Sequence, residues 1–179
     1  MWVSIPGAVI PMSPLIEKIL SLPLAAKLLF CANVGSLLFA LTMQFGFGVL
    51  PCVLCLWQRV PYGSAAVLSL MALLWKPYGR QTIVILGLCV VAYLTGMGLA
   101  IFHTGVELHW WLGTSGCAVQ PLHGASPEDL RQALLQTIAP RCDEISWTIF
   151  GFSMANLNIA ASLALAFFSA AVAAKRIEE

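Results

Sequence analysis

Four apolar runs without a charged side chain restrict the fold of this chain more than any other feature. They cover 28–58 (apolar to about Leu50), 60–75, 81–106 and 145–174. A helix needs about 20 residues to cross the ~30 Å hydrocarbon core of a bilayer. Three runs satisfy this length, and the second does so if its helix begins near Leu56. The runs are continuous and lack the alternation of membrane β-strands, so we predict helices.

The sequence therefore predicts an all-α membrane protein, a four-helix transmembrane bundle that forms a single membrane domain over 1–179. Its expected parts are a cytoplasmic or interfacial segment at 1–23, spans at about 24–48, 56–75, 82–102 and 147–173, and a long outer loop at about 103–146. Only 9% of the residues are charged, against about a quarter in soluble domains. The net charge of +1 and the lack of a basic tract exclude nucleic acid as a partner.

The positive residues predict the orientation. Six of the nine lie on one side of the expected spans, namely Lys18, Lys27, Lys76, Arg80, Lys175 and Arg176. The positive-inside rule puts this side and both termini in the cytoplasm. In a bacterium, the long loop then lies in the periplasm and the protein in the inner membrane. Lys27 and the apolar residues after it imitate a signal peptide, but the apolar run continues to Leu50, so we expect a retained span.

Two cysteine pairs lie on the expected outer side, where disulfides persist. Cys52 and Cys55 form a C-x-x-C motif between the first two spans, and Cys117 and Cys142 lie in the long loop. A structural staple would need only one pair. Two dithiols on the same side indicate that electron pairs pass from one to the other.

Each pair also has a structural interpretation. Cys52 and Cys55 can be a static disulfide or half of a metal site, but zinc would need two further ligands at close spacing, so we predict no metal. A helix start and Arg59, one turn after Cys55, would stabilise a thiolate and favour redox activity. A loop disulfide of Cys117 and Cys142 would contribute roughly 3 kcal/mol as a staple. Because the first pair lies on the same side of the membrane, we favour thiol–disulfide exchange between the pairs over a static staple.

Other polar or small residues have mainly structural interpretations. His103 lies at the outer end of the third span, level with Arg59. A lone histidine in such a place is more often structural than functional. Glu107, one turn further, could hold its imidazole. We expect packing roles for the residues inside the spans, which are Cys31, Cys89, Gly96, Gly98, Asn156 and Asn158. A short helix at 15–20 and a short amphipathic helix at about 127–139 in the long loop complete the expected elements.

The segment from Pro51 to Arg59, PCVLCLWQR, resembles the signature of the DsbB family, the quinone-reducing disulfide generators of bacterial inner membranes. The loop cysteines, the four spans and the Cys142-Asp143…Trp147…Gly151 pattern are also similar, so the resemblance covers 24–174. It implies a membrane oxidoreductase that reoxidises a periplasmic DsbA-like protein of thioredoxin fold. The cofactor it implies is a quinone, ubiquinone or menaquinone.

The resemblance also implies residue roles. The reduced partner would attack the loop disulfide at Cys117, and Cys142 would exchange with Cys52. Cys55 would then donate to the quinone beside Arg59 and His103. The segment after Cys117 and the stretch 127–139 do not match the family, and this is the region that would face the partner. Two alternatives remain open: a transmembrane conduit that carries electrons outward as a reductant, and a non-catalytic tetraspan scaffold stapled by disulfides or metal.

Overall fold

The computed structural model describes residues 2–5, 8–11, 14–75, 77, 79–114, 117 and 141–178. An antiparallel hairpin of β1 (Trp2–Ile5) and β2 (Ala8–Pro11) precedes the short helix α1 (Pro14–Ile19). The long helices are α2 (Leu22–Phe45), α3 (Val53–Trp75), α4 (Arg80–Glu107) and α5 (Met154–Glu178). A small hairpin of β3 (Thr148–Ile149) and β4 (Phe152–Ser153) leads into α5. The loop helix expected at 127–139 lies outside the described residues.

The four long helices confirm the predicted all-α bundle. α2, α4 and α5 are long and apolar enough to cross a membrane. α3 has 23 residues, about 35 Å of helix at 1.5 Å per residue, but it carries Gln58 and Arg59 and is less apolar. Large apolar side chains point outward along the bundle, for example Phe39, Val60, Val91 and Phe167. A surface this apolar belongs in lipid, and the chain is a multi-pass membrane protein.

Neighbouring helices pack in the order α2, α3, α4, α5, and the two outer members, α2 and α5, contact each other only sparsely. The core at one end of the bundle contains Leu29, Leu86, Tyr93 and Val172. Asn33 donates a hydrogen bond of 2.8 Å to the Tyr93 hydroxyl and so joins α2 to α4. Because α2 and α5 are splayed, one side of the bundle is left open.

Gly96 allows the close helix approach that the sequence predicted. A Cβ atom there would lie 3.3 Å from Pro61 Cβ on α3 and 3.4 Å from Ser162 Oγ on α5. The same prediction is wrong for Gly98, where a Cβ would meet nothing within 4 Å. Cys89 is buried as expected, but Cys31 is exposed on the outside of α2, so the packing role predicted for Cys31 is wrong.

The fourth long helix begins at Met154, seven residues after the start expected for the span at 147–173. The chain reverses at Phe150 (φ 51°) and Gly151 (φ 84°), and this turn pairs Thr148 with Ser153. An apolar run cannot distinguish a short hairpin from the first turns of a helix, so the sequence placed the start too early.

Candidate active site

The C-x-x-C pair lies at the start of α3, as predicted. Cys52 immediately precedes the helix and is buried, and Cys55 occupies the first turn and is partly buried. The two Sγ atoms lie 3.1 Å apart, and the backbone N–H of Cys55 donates to Cys52 Sγ at 3.4 Å. The helix start therefore directs a donor at Cys52 rather than at Cys55.

His103 on α4 faces the same sulfur. Its Nε2 lies 3.5 Å from Cys52 Sγ and 3.8 Å from Glu107 Oε1. Its Nδ1 lies 2.8 Å from Gln58 Nε2 on α3. Glu107 accepts a hydrogen bond of 2.6 Å from Ser153 Oγ, which ties α4 to the residue before α5. The imidazole is thus buried between the dithiol, a carboxylate and an amide.

A chain of polar side chains continues from Gln58 across the bundle. Asn158 Nδ2 on α5 donates to Gln58 Oε1. Asn158 Oδ1 accepts from the Tyr62 hydroxyl at 2.7 Å and from Ser162 Oγ at 3.0 Å. Three helices therefore contribute to one hydrogen-bonded group that ends at His103 and Cys52.

These contacts favour a thiolate at Cys52, which lies outside the helices. The hydrogen bond from the Cys55 thiol has the largest effect, and with a smaller contribution from His103 it lowers the pKa of Cys52 to about 4, although burial acts in the opposite direction. An attacking or departing sulfur reacts as the thiolate. Cys52 is therefore suited to thiol–disulfide exchange.

The loop cysteines Cys117 and Cys142 form a disulfide with a Cα–Cα distance of 4.9 Å. Cys142 N–H donates to the Cys117 carbonyl oxygen at 3.2 Å. Both are buried in one apolar cluster with Cys52, Leu54 and Val106. The fold thus brings the loop pair, which lies 62 and more residues further along the chain, into the same cluster as the first pair.

A cavity of about 220 Å³ opens beside the dithiol, on the side where α2 and α5 are splayed. Its polar end carries the groups predicted from the sequence, which are Cys52, Cys55, Arg59 and His103, together with Glu107. Its walls are mainly apolar and include Leu37, Phe39, Met43, Leu50, Met154 and Leu157. The expectation that Arg59 and His103 lie level with each other agrees with their place on this one cavity.

Arg59 is held by a residue that sequence reasoning did not identify. Its Nη1 donates a hydrogen bond of 2.7 Å to Gln44 Oε1 on α2. The side chains that lower the pKa of the Cys52 thiol are Cys55 and His103, so the stabilisation of a thiolate that the sequence predicted from Arg59 is not found at Cys52. The guanidinium therefore bridges α3 to α2 at the cavity, where its charge is available to a molecule inside.

The dithiol and His103 can also bind a metal ion. One ligand atom from each of Cys52, Cys55 and His103 lies within 4.8 Å of the other two. Two thiolates and an imidazole suit zinc, which commonly takes a fourth ligand or water. The absence of a metal remains a prediction.

Sequence reasoning missed the residues that connect His103 to α5. Gln58 was passed over beside Arg59, and Asn158 was interpreted as a residue that holds helices together. Both asparagines do join helices, since Asn158 is hydrogen-bonded to Gln58 and Tyr62 on α3 and Asn156 accepts a 3.0 Å hydrogen bond from Thr104 on α4. A glutamine and an asparagine within apolar runs were the available signal, because buried amides need partners.

The family model described as "Disulfide bond formation protein DsbB" matches residues 23–172. The chain is similar to curated proteins called "Disulfide bond formation protein B". It is 29% identical to that of Methylobacillus flagellatus over 80% of this chain and 88% of the relative. It is 32% identical to that of Xanthomonas campestris pv. campestris over 70% of this chain and 74% of the relative. No solved structure matches significantly.

Proposed function

The chain belongs to the DsbB family of disulfide bond formation proteins, and from this premise we propose that it reoxidises a periplasmic DsbA-like thiol oxidase and passes the electrons to a membrane quinone. Membership implies a disulfide-forming oxidoreductase. The proposed catalytic residues are Cys52, Cys55, Cys117 and Cys142, and the proposed quinone-binding residues are Cys55, Arg59 and His103. We place the protein in the bacterial inner membrane, with both termini cytoplasmic and both cysteine pairs facing the periplasm.

One observation carries the proposal. The loop disulfide and Cys52 lie in a single buried cluster, and Cys52 also borders the cavity that contains Arg59. A structural staple in the loop would not need this contact. The arrangement places a disulfide that can exchange with a partner next to a cavity that can hold an electron acceptor.

The cavity fits a quinone ring. An apolar cavity of about 150 Å³ is large enough to hold benzene, and this one is about 220 Å³. Its opening between α2 and α5 faces the hydrocarbon region of the bilayer, in which lipid-soluble molecules diffuse. Arg59 supplies a positive charge and N–H donors for a ring oxygen, and His103 borders the same polar end of the cavity. A bound quinone would accept two electrons and two protons.

The residues of the chain perform the exchange as balanced steps. A thiolate of the reduced partner attacks Cys117, forms a mixed disulfide and releases Cys142 as a thiolate. The second partner thiolate attacks the partner sulfur of that mixed disulfide, so the partner leaves oxidised and Cys117 is reduced. Cys142 attacks Cys52 of an oxidised Cys52–Cys55 pair and releases Cys55. Cys117 then attacks Cys142, which restores the loop disulfide and releases Cys52.

Exchange between the pairs can be tested by trapping. The variant Cys55→Ser/Cys117→Ser retains Cys52 and Cys142, and mild oxidation should join them in a disulfide detectable by mass spectrometry. The matched variant Cys52→Ser/Cys142→Ser retains the other two cysteines and should cross-link much less. Equal cross-linking in both variants, or none in the first, would contradict the proposed order of exchange.

The ligand set of Cys52, Cys55 and His103 favours one other function, a metal-stapled scaffold. It predicts one tightly bound zinc ion per chain after purification and no thiol turnover. Elemental analysis of protein purified without chelator discriminates between the two functions.

A further inference from the structure

The hydrogen bonds that lead to His103 share one donor-to-acceptor direction. They run from Tyr62 through Asn158 and Gln58 to His103. Tyr62, Gln58 and His103 are each less than 10% exposed. An amide has a donor on one side and an acceptor on the other, so each amide transmits the orientation of its neighbour. The donor and acceptor roles at one end of the group therefore determine those at the other end.

The neighbours of His103 Nε2 select this direction. Nε2 faces Cys52 Sγ at 3.5 Å and Glu107 Oε1 at 3.8 Å, and a thiolate and a carboxylate only accept hydrogen bonds. A proton on Nε2 is donated to the sulfur, and in the neutral imidazole Nδ1 then accepts. Gln58 Nε2 meets this requirement at 2.8 Å.

The far end of the group agrees with this choice. With Gln58 Nε2 directed at the imidazole, Gln58 Oε1 must accept, and Asn158 Nδ2 donates to it. Asn158 Oδ1 then accepts from two hydroxyls, those of Tyr62 and Ser162. Each member of the group has a partner of the correct kind.

We propose that Gln58, Asn158 and Tyr62 are positioning residues that hold His103 in the Nε2–H tautomer, so that His103 donates a hydrogen bond to Cys52. This inference rests on the proposed function for its role in exchange. In the last exchange step Cys117 attacks Cys142, the Cys52–Cys142 bond breaks, and the electron pair of that bond remains on Cys52. A donor at Cys52 stabilises this departing thiolate, and a better leaving group leaves faster. The group would thus favour electron transfer from the loop pair to the inner pair.

Other charges border the same cavity. They are Arg59 on α3, Glu107 on α4, and Arg141 and Glu144 before α5. Arg141 is paired with Asp143 at 2.6 Å and with Glu144 at 3.4 Å, and Arg59 is hydrogen-bonded to Gln44. Within the described residues, Cys52 Sγ is hydrogen-bonded to Cys55 and to His103.

The tautomer can be read directly by NMR. The chain has three histidines, so ¹⁵N-histidine labelling gives few signals, and His103→Gln assigns the one of interest. We expect wild-type His103 to carry its proton on Nε2 and to have an unprotonated Nδ1. In the nearly isosteric variant Gln58→Glu, the carboxylate can only accept, so Nδ1 should carry a proton. Ser69→Ala, also a buried polar residue of α3, should leave the tautomer unchanged.

A proton on Nδ1 in the wild type, or no change in Gln58→Glu, would overturn the proposal. A second readout is the alkylation rate of Cys52 in reduced protein as a function of pH, located by mass spectrometry. Loss of one hydrogen bond to a charged group should raise the pH midpoint of Cys52 alkylation by about one unit in Asn158→Leu, which slows the reaction about twofold at pH 5; an unchanged midpoint would also contradict the proposal. Neither experiment needs partner or quinone, so a failure here is distinct from a failure of the proposed function.

Discussion

Arg59 on α3 donates a 2.7 Å hydrogen bond to Gln44 on α2, at the cavity where α2 and α5 are splayed. The contact holds a permanent positive charge beside an apolar cavity. A guanidinium in such surroundings interacts strongly with a polar or charged group nearby, because little water screens it.

Replacing Arg59 should therefore weaken quinone reduction without affecting the loop disulfide. We expect Arg59→Ala and Arg59→His to lower the rate of quinone reduction by about tenfold or more, from the loss of a charged hydrogen-bond donor. Stopped-flow quinone absorbance measures the rate, and thiol titration measures the loop disulfide. Val60→Ala, an exposed neighbour on the same helix, is the control. Normal kinetics in the Arg59 variants would remove Arg59 from the site.

Removal of Cys142 should trap the partner. In Cys142→Ser, Cys117 keeps a free thiol. We expect its thiolate to attack a DsbA-like protein that lacks its resolving cysteine and whose remaining cysteine is activated as a disulfide with thionitrobenzoate; thionitrobenzoate leaves, and a mixed disulfide between Cys117 and the partner remains. Non-reducing electrophoresis and peptide mapping identify the bond. A mixed disulfide at Cys52 instead would reverse the proposed order of the pairs.

The reactivity of Cys52 should persist in acid. Its pKa falls from 9.0 to about 4, so the thiolate predominates above about pH 5 and is lost as the pH falls through 4. The alkylation rate of Cys52 in reduced protein should be nearly constant from pH 5 to 8. His103→Leu removes one of the groups that lower the pKa, so its profile should move to higher pH. A wild-type midpoint near 9 would contradict the arrangement at the start of α3.

Gly96 and Gly98 offer a matched test of helix packing. A side chain at 96 would contact Pro61 and Ser162, whereas one at 98 would meet open space. Gly96→Leu should destabilise the bundle by about 1–3 kcal/mol through overpacking, seen as a lower melting temperature in detergent. Gly98→Leu should have little effect. Equal effects would show that α4 does not approach α3 and α5 at Gly96.

The helices could be predicted from the sequence because a bilayer imposes length and apolarity on each span. The C-x-x-C pair at the start of α3 could also be placed, since Pro51 and the end of the preceding apolar run mark the boundary. The hairpin at 148–153 could not, because its residues are as apolar as the helix that follows.

The contacts of the site depend on helix rotation, which sequence does not reveal. Gln58 is 45 residues from His103 and 100 from Asn158, and only the packing of α3 between its neighbours brings them together. Glu107 was expected to hold the imidazole, and it does lie 3.8 Å from His103 Nε2. The spacing i, i+4 on one helix made that contact predictable, whereas contacts between helices were not.

Electron transfer from partner to quinone can be followed by quinone absorbance in detergent-solubilised protein after addition of excess reduced DsbA-like partner. We expect loss of oxidised quinone over many turnovers, with oxidation of one partner dithiol per quinone and no turnover in Cys55→Ser. Folded protein that consumes none of several quinones with several partners would contradict it, and bound metal would then be the next measurement.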